Sequence, residues 1–270
     1  MTTNDKSLSR RNFFRLGAAA IAGGAAVAVA TKAVALAAPA VAPAKKKRPW
    51  WELGTMDDPV LDNQLLWYLS QGHEGMTDIG ECLDTANRID RRDLWSWPRE
   101  WLRTAERVRG VAEGCEARGY TLSAGDAYMR AAAYYRAALI HHPEPQDAGV
   151  APTALRAADC FDRALKLLGL PATPVRIPYE GSTLPGYFWR SPAAGASAPV
   201  LILHQGRDAW PEETMNMARG AIKRGIHCLQ VHGPGQGLAI RVQNLPFRPD
   251  WEKVVTPAVD FALAQPGVDA

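Results

Sequence analysis

The hydrophobic pattern of this chain changes period once, at Pro171, and that change limits the architectures open to it. Upstream, apolar residues return at helical spacing. Leu61, Leu65, Leu66 and Leu69 form one stripe; Trp101, Ala105, Val108 and Ala112 form another, closed by Gly114 or Gly119. Ser123 is placed to cap a helix over 127–141 with Tyr128, Ala131, Tyr135 and Leu139 on one face, and 150–168 carries Leu155, Ala158, Phe161, Leu165 and Leu168. Such stripes mark amphipathic helices packed on one another. Downstream, Val175, Ile177 and Tyr179 alternate with other residues, Glu180-Gly181-Ser182-Thr183 turns, and 184–190 returns as the second strand of a hairpin. The stretches 199–203 and 226–231 are short unbroken apolar runs, the pattern of strands buried on both faces of a parallel sheet. Between them Pro211, Glu212 and Glu213 open a helix. Met215, Ala218 and Ile222 line its inner face, and Lys223, Arg224 and Gly225 close it. Asp250 is placed to cap a last helix with Trp251, Val255, Val259 and Ala262 inward and Pro257 as a kink. The pattern predicts an α/β chain: an α-helical domain over 50–170, then the first half of a doubly wound sheet over 171–270.

The first residues follow different rules. Ser9-Arg10-Arg11-Asn12-Phe13-Phe14-Arg15-Leu16 leads into an apolar run rich in Ala and Gly over 16–30, then Ala35-Leu36-Ala37, a small-x-small cleavage sequence. The run is shorter than the roughly 20 residues that cross a bilayer. The segment 1–37 resembles a twin-arginine signal peptide, with Arg10 and Arg11 as the pair and cleavage after Ala37. The resemblance implies the twin-arginine translocation machinery as a partner and a folded cargo delivered to the periplasm or beyond. The Ala/Pro/Lys stretch 38–49 reads as a linker.

Composition excludes little beyond nucleic acid. The net charge is +3, part of it in Lys45-Lys46-Lys47-Arg48, and no basic stripe carries interleaved aromatics. Nine tryptophans, with Trp67, Trp95, Trp97 and Trp101 close in sequence, suit either a large aromatic core or an aromatic-lined pocket. Cys82, Cys115, Cys160 and Cys228 form no C-x-x-C pair and sit in apolar elements, as small buried thiols do. His141-His142 lies near a helix end, where imidazoles are dipole-friendly or solvated. No metal-ligand spacing is present in the sequence.

Two blocks carry a family likeness. The first is Ile177-Pro178-Tyr179-Glu180-Gly181-x-x-Leu184-Pro185-Gly186-Tyr187 with the His204-Gln205-Gly206 loop. The second is Gly233-Pro234-Gly235-Gln236-Gly237 with Leu245-Pro246-Phe247-Arg248-Pro249-Asp250-Trp251-Glu252. Together with Ser123-Ala124-Gly125-Asp126-Ala127-Tyr128 they resemble the α/β-hydrolases with an N-terminal helical cap, the 2,6-dihydropseudooxynicotine hydrolase group, over residues 50–270. The resemblance implies a serine hydrolase that cleaves an ester, an amide or a carbon–carbon bond of a small-molecule substrate. It implies no cofactor, and a homodimer through the cap. It also implies a Gly-x-Ser-x-Gly nucleophile elbow on the next strand, followed by the acid and the histidine. That motif occurs nowhere in the 270 residues, so by family order the triad falls after Ala270. The chain is therefore expected to be truncated and inactive alone, and Ser182, in the hairpin turn, is not assigned as nucleophile. The loop 204–208 is implied as the oxyanion loop, with the backbone N–H groups of Gly206 and Arg207 as donors; otherwise it is only a strand-to-helix turn. His232 stands where the resemblance implies Asp, and reads as structural rather than as a catalytic base. Trp67, Tyr134 and Tyr135 line a substrate pocket or fill the cap. In the family order strand three lies between strands four and five, so the edge at 200–203 is expected to be open. The other reading of the chain is a non-catalytic secreted binding protein, or a relic of such a hydrolase.

Overall fold

A computed structural model describes residues 53–207 and 209–269. The export signal at Arg10, Arg11 and Ala37, the linker, Asp208 and Ala270 lie outside the described residues.

Five helices come first: α1 (Pro59–Ser70), α2 (Ile79–Arg88), α3 (Ser96–Ala117), α4 (Thr121–Leu139) and α5 (Val150–Leu167). Asp58 starts α1 by accepting from the N–H groups of Val60 and Leu61, with Pro59 in the first turn, where its missing donor costs nothing. Trp101, Ala105, Val108 and Ala112 are buried along α3, and Trp97 Nε1 donates to the Ala137 carbonyl at 2.8 Å. Helix α4 departs from the sequence expectation. It begins at Thr121, so Ser123 lies inside it and caps nothing. From Ala131 to Leu139 it is also buried on all sides, between α3 and α5, because its many alanines let both neighbours approach. Gly125 shows how closely: a Cβ there would meet Leu168 at 2.7 Å. Helix α5 turns inward a face that only partly matches the one the spacing suggested. Leu155 is exposed, while Thr153, Ala157, Cys160 and Ala164 are buried beside Phe161 and Leu165.

Four strands follow, β1 (Ala172–Tyr179), β2 (Ser182–Trp189), β3 (Val200–His204) and β4 (His227–Val231), in the order β1-β2-β4-β3. The hairpin turn is only Glu180-Gly181, both with positive φ, +38° and +77°. This geometry matches the twist of the strands it joins, and Ser182 accordingly sits in β2, paired with Tyr179. Strand β2 pairs antiparallel with β4, and β4 parallel with β3 through α6 (Met215–Ile222), which a 3₁₀ turn, Pro211–Thr214, precedes. Met215, Ala218 and Ile222 are buried as expected, and Gly225 ends the segment at φ +80°.

Alternation along the strands builds two cores. Tyr187, Trp189 and Cys228 pack with the helical layer and α6; Ile177, Leu184, Phe188, Leu229 and Val231 pack against α8 (Glu252–Leu263). Helix α8 presents Val254, Ala258 and Ala262, not Val255 and Val259, since the two alanines permit the closest approach to the sheet. Asp250 does not cap it. Its carboxylate is held by Arg248 at 2.6 and 2.7 Å, which pulls it well below the usual carboxylate range, and Arg248 also reaches Glu180 at 2.8 Å. Strand β3 is not buried on both faces. Among the described residues it ladders only with β4, and Leu201 is 39% exposed, so the open edge expected at 200–203 is present. The four cysteines are free thiols, three of them buried.

Candidate active-site cleft

The loop after β3 is held from below by the glycine-rich turn after β4. Gln236 accepts from Gly233 N–H at 2.9 Å through its side-chain oxygen and donates to the Gln205 carbonyl through its amide. Gln205 in turn donates to Thr214 Oγ1 at 3.0 Å, and Gly237 N–H donates to the Ala209 carbonyl at 3.1 Å. Gly206 and Arg207 lie exposed on this braced loop. Among the described residues neither backbone N–H is used in a hydrogen bond.

Arg207 forms one wall of a cleft of about 360 Å³ whose other walls come from the helical layer: Asn63, Gln64 and Trp67 of α1, and Ile140 and His141 just after α4. Glu213 closes the inner end. Of the cap aromatics, Trp67 is in this cleft, 45% exposed. Tyr134 and Tyr135 are not: both are core. Tyr134 Oη donates to Glu81 at 2.7 Å and accepts from Asp78 N–H at 2.8 Å. The tryptophans divide likewise, Trp97 and Trp101 into the core, Trp67 and Trp95 onto the surface.

Behind the cleft lies a buried charged cluster that the periodicity did not reveal. Arg136 of α4 pairs with Glu213, both almost wholly buried, and its guanidinium lies over the Trp210 ring at 5.5 Å. The neighbouring Glu212 faces His232 Nε2 at 3.5 Å. His232 is fully buried, accepts from Leu238 N–H at Nδ1 (3.2 Å), and packs edge-on against Trp210. Among the described residues its ring meets Leu238 N–H, Glu212, Tyr187 and Trp210. It fits because residue 237 is glycine: a Cβ there would stand 2.2 Å from Nδ1. Burial alone raises the Glu212 carboxyl, but His232 and Arg136 outweigh it and hold the group below its ordinary value. Glu212 and Glu213 stand in the first turn of the 3₁₀ segment, as their sequence position suggests, Glu213 accepting from Trp210 N–H at 3.1 Å, and they are interior countercharges as well. The missed signal was Arg136, the single charge within a buried run of Ala and Tyr.

Asp162 of α5 completes the cluster, beside Tyr187 of β2. Burial pushes its carboxyl up to about 6, with Glu212 and Asp159 adding to the effect. The native carboxyl thus keeps its proton up to about pH 6, whereas the unfolded one releases it near 3.8. The native state binds more protons in this window, so this group's contribution to stability falls as pH rises from about 4 to about 6 and stays lower above. Asp162→Asn cannot ionise and keeps an acceptor beside Tyr187. Its melting temperature should rise relative to the parent between pH 4 and pH 7, in a thermal-unfolding series. Glu212 has the opposite sign: its contribution is present above its ordinary 4.5 and lost as pH falls through its lowered value.

No protein-family model matches the chain. Among curated proteins, the hydrolase LUC6 of a Fusarium species is 36% identical over 195 residues, covering 70% of this chain and 46% of its own length. The α/β hydrolase psoB of Aspergillus fumigatus is 37% identical over 218 residues, 76% of this chain and 49% of its own. The chain thus spans about half the length of the curated relatives it matches. Among solved structures, the 2,6-dihydroxy-pseudo-oxynicotine hydrolase superposes with a TM-score of 0.57 at 23% identity, over 72% of this chain and 53% of that one, which is a likeness of fold. Over the half of their length that it spans, the chain is similar to named α/β hydrolases, and it shares its fold with that solved hydrolase.

Proposed function

We propose that these residues are the helical cap and first strands of an exported serine hydrolase, which cleaves an ester, amide or carbon–carbon bond of a small molecule held in the Trp67–Arg207 cleft. The observation that supports this most is the meeting, in one cleft, of cap residues with the loop from which α/β-hydrolases supply an oxyanion donor. Gly206 and Arg207 are the donor candidates. An amide fixed before the reaction, as the Gln236 brace fixes this loop, holds the negative oxygen of a tetrahedral intermediate without reorganising, worth about 2.7–4 kcal/mol per donor. The nucleophile, acid and histidine would come from sequence after α8, on a strand laid along the open edge of β3. The 270 residues alone would then be inactive, as they contain no Gly-x-Ser-x-Gly.

Reading the coding DNA past the codon for Ala270, in all three frames, tests this. A strand ending in Gly-x-Ser-x-Gly, with Asp and His further on, is the expected result. Stop codons in every frame with no elbow would replace the hydrolase reading by a non-catalytic binding protein or relic. Export is tested separately. Changing Arg10 and Arg11 together to lysine should leave the protein in the cytoplasm at its uncut length, while the parent appears outside, beginning at Ala38 by N-terminal sequencing. Equal export of both would remove the twin-arginine reading.

A further inference from the structure

The walls of the Trp67–Arg207 cleft differ in kind, and the difference bears on what it holds. Asn63, Gln64 and Trp67 stand at spacings of three and four along α1, so one face of that helix forms a wall. The Trp67 ring is 45% exposed there. The side-chain amides of Asn63 and Gln64 make no hydrogen bond among the described residues. Each offers donors and an acceptor to the polar groups of a ligand.

Charge divides the cleft as well. Glu213, at the inner end, is buried and already holds Arg136 and the Trp210 N–H, so its negative charge is matched within the protein. Arg207 is exposed, and among the described residues its guanidinium has neither a carboxylate partner nor a hydrogen bond. Arginines of the helical layer are engaged instead, Arg130 with Glu81 and Arg156 with Glu106, both at 3.1 Å. The described part of the cleft therefore carries one uncompensated positive group together with one exposed indole. A cation would meet Arg207 and find no free carboxylate among the lining residues. A planar anion uses both groups: the guanidinium fork takes a carboxylate through two parallel N–H···O bonds, and a flat ring packs on the indole.

We propose that this cleft takes an aromatic carboxylate, its ring against Trp67 and its carboxylate on the Arg207 guanidinium. The proposal names a substrate class and rests on the reading of this cleft as the substrate site. Residue 207 then acts in two ways. Its backbone N–H faces the reacting carbonyl, and its side chain selects for an acid group elsewhere on the same molecule. A substitution separates them, because it replaces the guanidinium and keeps the N–H.

Calorimetric titration of the 270-residue chain with sodium 2-naphthoate tests the proposal, with 2-naphthamide as the uncharged match. The expected result is one saturable site, about tenfold or more tighter for the naphthoate than for the amide. Arg207→Gln should weaken naphthoate about tenfold, to the level of the amide, and leave the amide unchanged. Trp67→Ala should weaken both about threefold or more. Arg176→Gln, which removes an exposed arginine of β1 outside this cleft, should bind as the parent does. Circular dichroism shows whether Arg207→Gln is folded; if it is not, Arg207→Lys, which keeps the charge without the fork, should still prefer naphthoate to the amide, by less than the parent. The titration needs no nucleophile, so it succeeds or fails independently of the hydrolase reading, which fluorophosphonate labelling tests. No saturable naphthoate binding, or equal affinity for the amide, would overturn the proposal. So would parent-like naphthoate binding by folded Arg207→Gln or by Trp67→Ala, loss of naphthoate preference in Arg207→Lys, or an equal loss in Arg176→Gln.

Discussion

Arg136→Met is expected to cost the fold about 3–5 kcal/mol, the largest loss from any single side chain in the cap-to-sheet contact. The guanidinium is almost wholly buried, pairs with Glu213 and lies on Trp210, so it ties α4 to the loop that follows β3. Removing it leaves the Glu213 carboxylate charged, buried and without its partner. It also strips Glu212 of one of the two charges that hold its carboxyl low. Met has similar reach and keeps most of the contact with Trp210, so lost packing contributes little. The loss should therefore depend on Glu213. In the double variant Arg136→Met, Glu213→Gln, where no charge is stranded, the loss should shrink by well over 1 kcal/mol below the sum of the single changes. Urea unfolding of the four proteins measures it. Additive losses, or an Arg136→Met protein within about 0.5 kcal/mol of the parent, would contradict the cluster's role.

Gly186→Ala is the second large effect, and its cause is steric. A Cβ at residue 186 would stand 2.4 Å from the Gln230 carbonyl oxygen of β4, an atom of backbone. No side chain can swing aside, so β2 and β4 must part around the pairing of Gly186 with Val231. Overpacking of this kind costs about 1–3 kcal/mol, and more where the obstacle is main chain. Gly181→Ala makes the contrast. There the surroundings are open but φ is +77°, so only the left-handed strain of roughly 1–2 kcal/mol applies. Thermal unfolding should rank Gly186→Ala well below Gly181→Ala, with Gly186→Val lower still. Equal melting temperatures would mean that the β2–β4 junction yields more readily than its geometry indicates.

Local spacing made the order of helices and strands legible, because each element buries a stripe or an alternate face and leaves the period in the sequence. Trp101 to Ala112 on α3 and Met215 to Ile222 on α6 are buried as their spacing requires. Where an element is buried on every side, period says nothing about its faces. Helix α4 is such a case: the spacing sets its start too late, and the four residues it places inward, Tyr128, Ala131, Tyr135 and Leu139, are buried together with most of the residues between them. On α5 and α8 part of the expected inward face is buried, Phe161, Leu165 and Ala262, and part is not, because small residues such as Ala157, Ala164 and Ala258 decide where a backbone approaches. The cleft was half legible. The loop residues Gly206 and Arg207 were named from their place after a strand, but Trp67 could not be separated from Tyr134 and Tyr135. Pairing across more than seventy residues, as between Arg136 and Glu213, leaves no local trace. A lone arginine among alanines was the nearest thing to a sign.

We propose that this chain supplies the cap, the first strands and the oxyanion loop of a serine hydrolase whose nucleophile is not among these 270 residues. Labelling the product of the native gene with a fluorophosphonate, and mapping the adduct by mass spectrometry, tests it most directly. One labelled serine is expected, within a Gly-x-Ser-x-Gly sequence after residue 270, and no label on the 270-residue chain expressed alone. An adduct on any serine within these residues, or no adduct on the native product, would contradict it.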